Sequence, residues 1–168
     1  MKKIMIITLM SIVSLFGDWK VQIDKDEMTG KIEAFAHSEF TYPTKKMDFP
    51  YASTKAWLAV GCDKINQWAY IGFTVSPNIV NTTAESGYST FKTRVKFDDK
   101  VETASMSKDW GSKFIHFSYD KWAIQNLKKS KKMLLELNWH GNGRTYFNFS
   151  LDNAENAINA AIEKCKGN

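Results

Sequence analysis

KMLLELNWHGNGRTYFNFSLDNAENAINAAIEKC, residues 132–165, decides the fold. Residues 132–139 alternate between apolar and polar, as in a β-strand that is buried on one face. The side chains of the buried face are those of Met133, Leu135, Leu137 and Trp139. Residues 140–144 contain two glycines and an asparagine, which tolerate a tight reversal of the chain. Residues 145–151 alternate again, so the stretch predicts a β-hairpin.

The residues after Asp152 predict an amphipathic helix. Asp152, with Glu155 three residues later, fits a capping box at its start. Apolar residues then recur at helical spacing and end on a cysteine. They are Ala154, Ala157, Ile158, Ala161, Ile162 and Cys165. Because the hairpin and the helix each have one apolar face, both need a partner layer.

Residues 1–17 predict a secretory signal peptide. Lys2 and Lys3 precede an apolar run, residues 4–16, which is shorter than the roughly 20 residues that a membrane-spanning helix needs. The alternative is an uncleaved N-terminal anchor. We therefore predict a single β-rich domain, residues 18–168, that has no transmembrane segment and is periplasmic or secreted from a Gram-negative bacterium.

The chain contains two cysteines, Cys62 and Cys165. In an exported protein two cysteines most simply form a disulfide, and the alternative is a pair of buried free thiols. The three histidines, His37, His116 and His140, show no ligand spacing with either cysteine. The sequence therefore predicts neither a metal site nor a cofactor.

Seven further segments have the composition and alternation of strands. They are residues 19–24, 31–38, 56–62, 68–74, 90–97, 101–107 and 113–118. Residues 56–62 are apolar on both faces, which is typical of a central strand. Residues 119–129 predict a second short helix, and residues 40–54 and 76–86 predict loops. Together these elements predict a mainly β domain: an antiparallel β-sandwich or curved sheet of about nine strands with two short helices and one disulfide.

The chain contains none of the common catalytic or phosphate-binding motifs. A serine nucleophile would need a histidine that is itself oriented by a carboxylate, and His116 lies between aromatic residues of a strand. The formal charge of +5 falls to +3 without Lys2 and Lys3, and this small excess does not indicate nucleic-acid binding. The sequence therefore predicts a protein that is not an enzyme.

Lys92, Arg94 and Lys96 occupy alternate positions of one predicted strand. Alternate residues of a strand lie about 7 Å apart on one face, so these three form a row of positive charge, here called the basic row. The row is a candidate docking strip for an anionic envelope surface or an acidic protein. The alternative is solvated charge that keeps a strand edge from pairing with other chains.

Aromatic side chains are abundant and are expected mainly in the core. Exposed aromatic residues are expected only outside the predicted strands. The candidates are Phe40, Tyr42, Phe49, Tyr51 and Trp110.

The order of landmarks along the chain resembles one family of exported proteins. The landmarks are Trp19–Val21, Asp26–Gly30, Cys62, Arg94–Asp98, Phe114, Lys128–Leu134, Phe147–Phe149 and Cys165. This order is similar to that of the periplasmic accessory proteins associated with type VI secretion, the VasI or TagO-like group. The resemblance implies an exported, non-enzymatic β domain with a Cys62–Cys165 bridge. It also implies that Arg94 and Asp98 form a strand-and-turn signature.

Three functions are compatible with these patterns. The first is a periplasmic accessory module that binds an envelope protein, a secretion-system protein or an anionic envelope surface. The second is a secreted inhibitor of an envelope-acting enzyme such as lysozyme, with residues 40–54 or 76–86 as the inserted loop. The third is a small hydrolase that uses His116.

Overall fold

The structure, a computed structural model, describes residues 14–16 and 18–166, and of residues 14–16 the backbone only. The rest of the predicted signal peptide lies outside the described residues. The strands are β1 (Ser14–Phe16), β2 (Trp19–Lys25), β3 (Ile32–Ser38), β4 (Ala56–Cys62), β5 (Gln67–Phe73), β6 (Thr83–Ala84), β7 (Tyr88–Phe97), β8 (Lys100–Asp109), β9 (Phe114–Phe117), β10 (Lys132–Trp139) and β11 (Gly143–Ser150). The helices are α1 (Asp120–Lys129) and α2 (Ala154–Lys166).

The strands form one antiparallel sheet in the order β1-β2-β3-β4-β5-β9-β8-β7-β10-β11, with the short β6 paired to β7. The mainly β fold is confirmed, in the form of a curved sheet that is not closed. All nine strands predicted from the sequence are present. The two additional ones, β1 and β6, are three and two residues long, too short for an alternating pattern to be recognised.

The hairpin predicted at residues 132–151 forms with Leu135 opposite Phe147 and Leu137 opposite Thr145. The four side chains predicted to face the core are completely buried. The turn before this hairpin is fixed by Asp98, whose Oδ1 accepts the backbone N–H groups of Lys131 and Lys132 at 2.9 and 3.1 Å. The alternation in this stretch is therefore a correct guide to the inner face of the sheet.

Helix α2 covers the inner side of β2, β3 and β4. It buries the small side chains Ala154, Ala157 and Ala161 against the sheet, which lets the helix axis approach closely. The helix begins at Ala154, one residue later than the predicted capping box requires, because Asn153 adopts a positive φ of 65°. This conformation turns the chain sharply between β11 and the helix.

The disulfide between Cys62 and Cys165 is confirmed, and both residues are buried. It joins the end of the central strand β4 to the last turn of α2 across 103 residues of sequence. Trp19 of β2 adds a second long-range link, since its Nε1 donates to the carbonyl of Ser150 at 3.1 Å. These two links hold the first strands, the last strand and the last helix around one core.

Residues 40–54 form a loop, as predicted, that contacts the start of β4 and then the last strand β11. Thr41 forms a single β-bridge with Ala56 of β4, and Pro43 forms another with Phe147 of β11. Thr44 also donates its N–H to the carbonyl of Tyr146 at 2.8 Å. Neither helix in the described part of the chain is long and apolar enough to cross a bilayer.

Replacing both Cys62 and Cys165 by alanine is expected to lower the free energy of unfolding by about 4 kcal/mol, because the bridge closes a very long loop in the unfolded chain. Urea unfolding of the oxidised protein and of the double variant measures the difference. Equal unfolding midpoints for the two proteins would contradict a stabilising role for the bridge.

Candidate functional site

Large aromatic residues occupy the outer side of strands β3, β4, β5 and β9, opposite the face that α2 covers. The register alternates them with small residues across the sheet. Trp57 of β4 lies opposite Gly72 of β5, and Gly72 lies opposite Phe114 of β9. The ring centroids of Trp57 and Phe114 are 6.1 Å apart, so the two rings meet across the glycine.

The glycines are required by the way the indoles lie against the sheet. A Cβ atom on Gly72 would lie 2.2 Å from Cζ2 of Trp57, well inside the contact distance of two carbon atoms. In the neighbouring row, Gly61 lies between Phe35 and Trp68, and a Cβ on Gly61 would lie 2.5 Å from Nε1 of Trp68. Each indole therefore covers the backbone of the adjacent strand.

A third row passes between these two. His37 of β3 lies opposite Ala59, Ala59 lies opposite Tyr70, and Tyr70 lies opposite His116 of β9. The Tyr70 ring packs against His116 and Phe114, with centroid distances of 5.7 and 5.4 Å. Burial raises the pKa of Tyr70, so its hydroxyl stays protonated at neutral pH.

We call six residues on the outer side of the sheet the aromatic face, and their rings pack in two groups. They are Phe35, Phe40, Trp57, Trp68, Tyr70 and Phe114. Phe40 and Phe114 are 60% and 39% exposed, and the other four are partly exposed. Within residues 18–166, no second layer of structure covers these rings. A group of this size in water is unusual for a surface that has no partner.

The loop that follows β3 extends the aromatic face. Phe40 packs edge-on against Trp57 at 5.2 Å. The ammonium group of Lys55 lies 5.9 Å from the Phe40 ring centroid and 5.2 Å from that of Tyr42, within cation–π distance of both. These contacts hold the loop against the sheet and extend the aromatic surface towards Tyr42.

The basic row lies on the same outer side, further along the sheet on β7. Arg94 is not free: its guanidinium forms a two-point ion pair with Glu136 of the adjacent strand β10, with Nε 3.0 Å from Oε1. Lys96 approaches the exposed Asp99 at 4.0 Å, whereas Lys92 is exposed and forms no ion pair with any described residue. The three cations share one face as predicted, but one of them is neutralised.

An open groove of about 300 Å³ lies beside the basic row. Lys92, Arg94 and Arg144 contribute cations to its walls, and Glu136 and Asn138 contribute acceptors. The side chain of Glu136 is only 15% exposed. The hydrogen bonds from Arg94 hold the pKa of Glu136 below its ordinary value of 4.5.

The other residues singled out from the sequence differ in their exposure. Of the aromatic residues expected outside strands, Phe49 is 93% exposed and Trp110 is 64% exposed, whereas Tyr51 packs against Trp139 at 5.3 Å. His116 is partly buried beside Tyr70 at one side of the aromatic face.

The expectation that exposed aromatic residues occur only outside strands is wrong. Five of the six residues of the aromatic face lie in strands, and only Phe40 was among the candidates. The available signal was the alternation Trp57-x-Ala59-x-Gly61 and Trp68-x-Tyr70-x-Gly72. In each strand, the face that points away from the core carries both large aromatic residues and small residues.

The chain matches no protein-family model and no curated protein sequence. Its fold is similar to the crystal structure of invasion associated protein B from Bartonella henselae, with a TM-score of 0.60. The similarity covers 94% of this chain and 99% of that chain, and the sequences are 15% identical. At this identity the similarity is one of fold.

Replacing Gly72 by alanine is expected to displace the Trp57 indole and to lower the free energy of unfolding by about 1 kcal/mol through overpacking. Near-ultraviolet circular dichroism and urea unfolding measure the two effects. The control is the same change in a Trp57→Ala background, where the clash is absent and the alanine should cost little or nothing. An equal cost in both backgrounds would contradict the contact.

Replacing Glu136 by glutamine is expected to cost about 0.5–1 kcal/mol of stability at neutral pH, the range for a partly exposed ion pair. Because the folded-state pKa of Glu136 is lowered from 4.5, its contribution is present above pH 4.5 and is lost as the pH falls through the folded-state value. Urea unfolding at neutral and acidic pH should therefore show a difference that disappears in acid.

Glu163→Gln is the matched control for this measurement, since among the described residues Glu163 pairs with exposed Lys166 on α2. It should change the stability little at either pH. A cost of Glu136→Gln that persists undiminished in acid would show that its carboxylate charge is not the cause.

Proposed function

We propose that this protein is an exported, non-enzymatic binding module that acts at the cell envelope of a Gram-negative bacterium through its aromatic face. The observation that carries the proposal is a sheet face on which six partly or fully exposed aromatic side chains pack in two groups, Phe35 with Trp68 and Phe40 with Trp57, Phe114 and Tyr70. Exposed apolar surfaces of this kind mark binding sites, because covering them removes the rings from water.

The rings of the aromatic face are held in fixed positions, which favours binding over non-specific adhesion. Trp57 contacts Phe40 and Phe114 in nearly perpendicular arrangements, with interplanar angles of 77° and 88°. Edge-to-face pairs of this kind are favourable in themselves. Side chains that are already ordered lose little conformational entropy when a partner binds.

Export is supported by two independent features. The Cys62–Cys165 disulfide belongs to the type of bond that persists in oxidising compartments, and the N-terminal residues have the pattern of a signal peptide. A role beside a type VI secretion system rests on the resemblance in landmark order. The basic row would add a weaker, salt-sensitive attraction to an anionic envelope surface through Lys92 and Lys96.

Replacing Phe114 by serine is expected to weaken binding of the oxidised protein to isolated envelope fractions at least about tenfold, because an exposed ring of the aromatic face is lost. The protein is purified in oxidised form after expression of the full chain, and co-sedimentation with the fractions measures binding. The matched control is Phe49→Ser, which removes an even more exposed ring from the loop at residues 40–54.

The proposal predicts that Phe49→Ser binds like the unaltered protein. Circular dichroism checks that both variants are folded. If Phe114→Ser binds normally, the aromatic face is not the contact surface.

The second candidate function is inhibition of an envelope-acting enzyme such as lysozyme. It is favoured by Phe49, which projects from the loop at residues 40–54 with 93% of its surface exposed and follows Lys45 and Lys46 by four and three residues in sequence. A projecting ring with neighbouring cations suits an acidic cleft. In this case the outcome reverses: Phe49→Ser loses the interaction and Phe114→Ser retains it.

A further inference from the structure

An open groove of about 390 Å³ runs along the aromatic face on the side of β2. Trp57, Tyr70 and Phe114 contribute aromatic rings to its lining. The opposite wall is polar and includes Gln22 and His37. The volume falls within the range of small-ligand sites, about 300–1,000 Å³.

The polar wall is built by the alternation of β2, and besides the Lys20–Glu39 ion pair it carries the carboxylate of Asp24. Lys20, Gln22 and Asp24 point to the outer side, while Trp19 and Val21 point to the core. The Lys20 ammonium group forms an ion pair with Glu39 at 2.8 Å. The Gln22 amide nitrogen donates to Asp24 Oδ1 at 3.1 Å.

A wall whose one cation is paired and which carries a further carboxylate disfavours an anionic ligand. A phosphate-rich ligand such as a nucleic acid would need unpaired cations along its path. An acyl chain would fit the rings but would take Gln22 Oε1 and His37 Nε2 out of water without a hydrogen-bond partner. An uncharged ligand with one apolar side and one side rich in hydroxyl or amide groups matches both walls.

We propose that this groove binds a short segment of a neutral envelope glycan built from N-acetylhexosamine. A pyranose ring has a face of C–H groups and a rim of hydroxyl groups. The C–H face would stack on Trp57 and Tyr70, and the rim would exchange hydrogen bonds with Gln22 and His37. The acetamido group adds a methyl contact for the rings and an amide for the wall. The inference rests on the proposed function and names its ligand.

The test uses chitotetraose, a neutral tetramer of N-acetylglucosamine, and isothermal titration calorimetry with the oxidised protein. Binding is expected to be unaffected by raising the salt concentration, because no net charge is neutralised. Maltotetraose, which lacks the acetamido group, should bind at least about fivefold more weakly.

Two variants probe the two sides of the groove. Phe114→Ser removes a ring, and Gln22→Leu removes the exposed amide of the wall; each should weaken chitotetraose binding at least about fivefold. The matched controls are Phe49→Ser in the loop and Gln125→Leu on the exposed side of α1, which should leave the affinity unchanged. Circular dichroism confirms folding of all four variants.

The outcomes distinguish failure of the glycan assignment from failure of the proposed function. If neither tetrasaccharide binds while Phe114→Ser still loses binding to envelope fractions, the aromatic face has another partner, such as a protein, and the glycan assignment is wrong. If maltotetraose binds as tightly as chitotetraose, the N-acetylhexosamine assignment is wrong. If Phe114→Ser retains binding to envelope fractions, the proposed function itself fails.

Discussion

The bond between Cys62 and Cys165 fixes helix α2 to one side of the central strands, and this determines which side of the sheet remains open. Strand β4 is apolar on both faces, so each face would be better covered than exposed. Helix α2 is the element that covers the inner face of β2–β4. No helix in the described part of the chain covers the outer face of the same strands, and the side chains there pack against one another.

On the outer face, large side chains of one strand cover the backbone at small residues of the next strand. Gly61 and Gly72 are buried although they lie on the outer side, because the indole rings of Trp68 and Trp57 from the neighbouring strands lie over them. The rings gain packing on their inner sides and keep their outer sides in solvent. The contacts that stabilise this side of the sheet therefore also order the rings of the aromatic face.

The sequence predicts the inner face well because that face depends on local alternation. Met133, Leu135 and Leu137 show it, and so do the small residues of α2. The outer face depends on register between strands. That Trp57 meets Phe114 across Gly72 follows from pairing of β4 with β5 and of β5 with β9, which no single segment encodes.

The basic row shows the same limit for electrostatics. The alternating sequence of β7 predicts that the three side chains share one face, but it does not predict which of their charges are paired. Glu136, which neutralises Arg94, lies 42 residues away in sequence on a strand that becomes adjacent only in the folded sheet. The loop at residues 40–54 is a further case: it has no periodicity, yet single bridges at Thr41 and Pro43 place it between β4 and β11.

The position of α2 also has a consequence for the order of events during synthesis. Strands β2 to β4 emerge early, but the helix that shields their inner face follows more than ninety residues after the end of β4, and the partner of Cys62 lies 103 residues away. Until then, the apolar side of the first hairpins has no cover. Strands β2 to β4 therefore cannot complete their packing until the C-terminal helix has been synthesised. Any factor that prevents their association with other chains during that interval would raise the yield of folded protein.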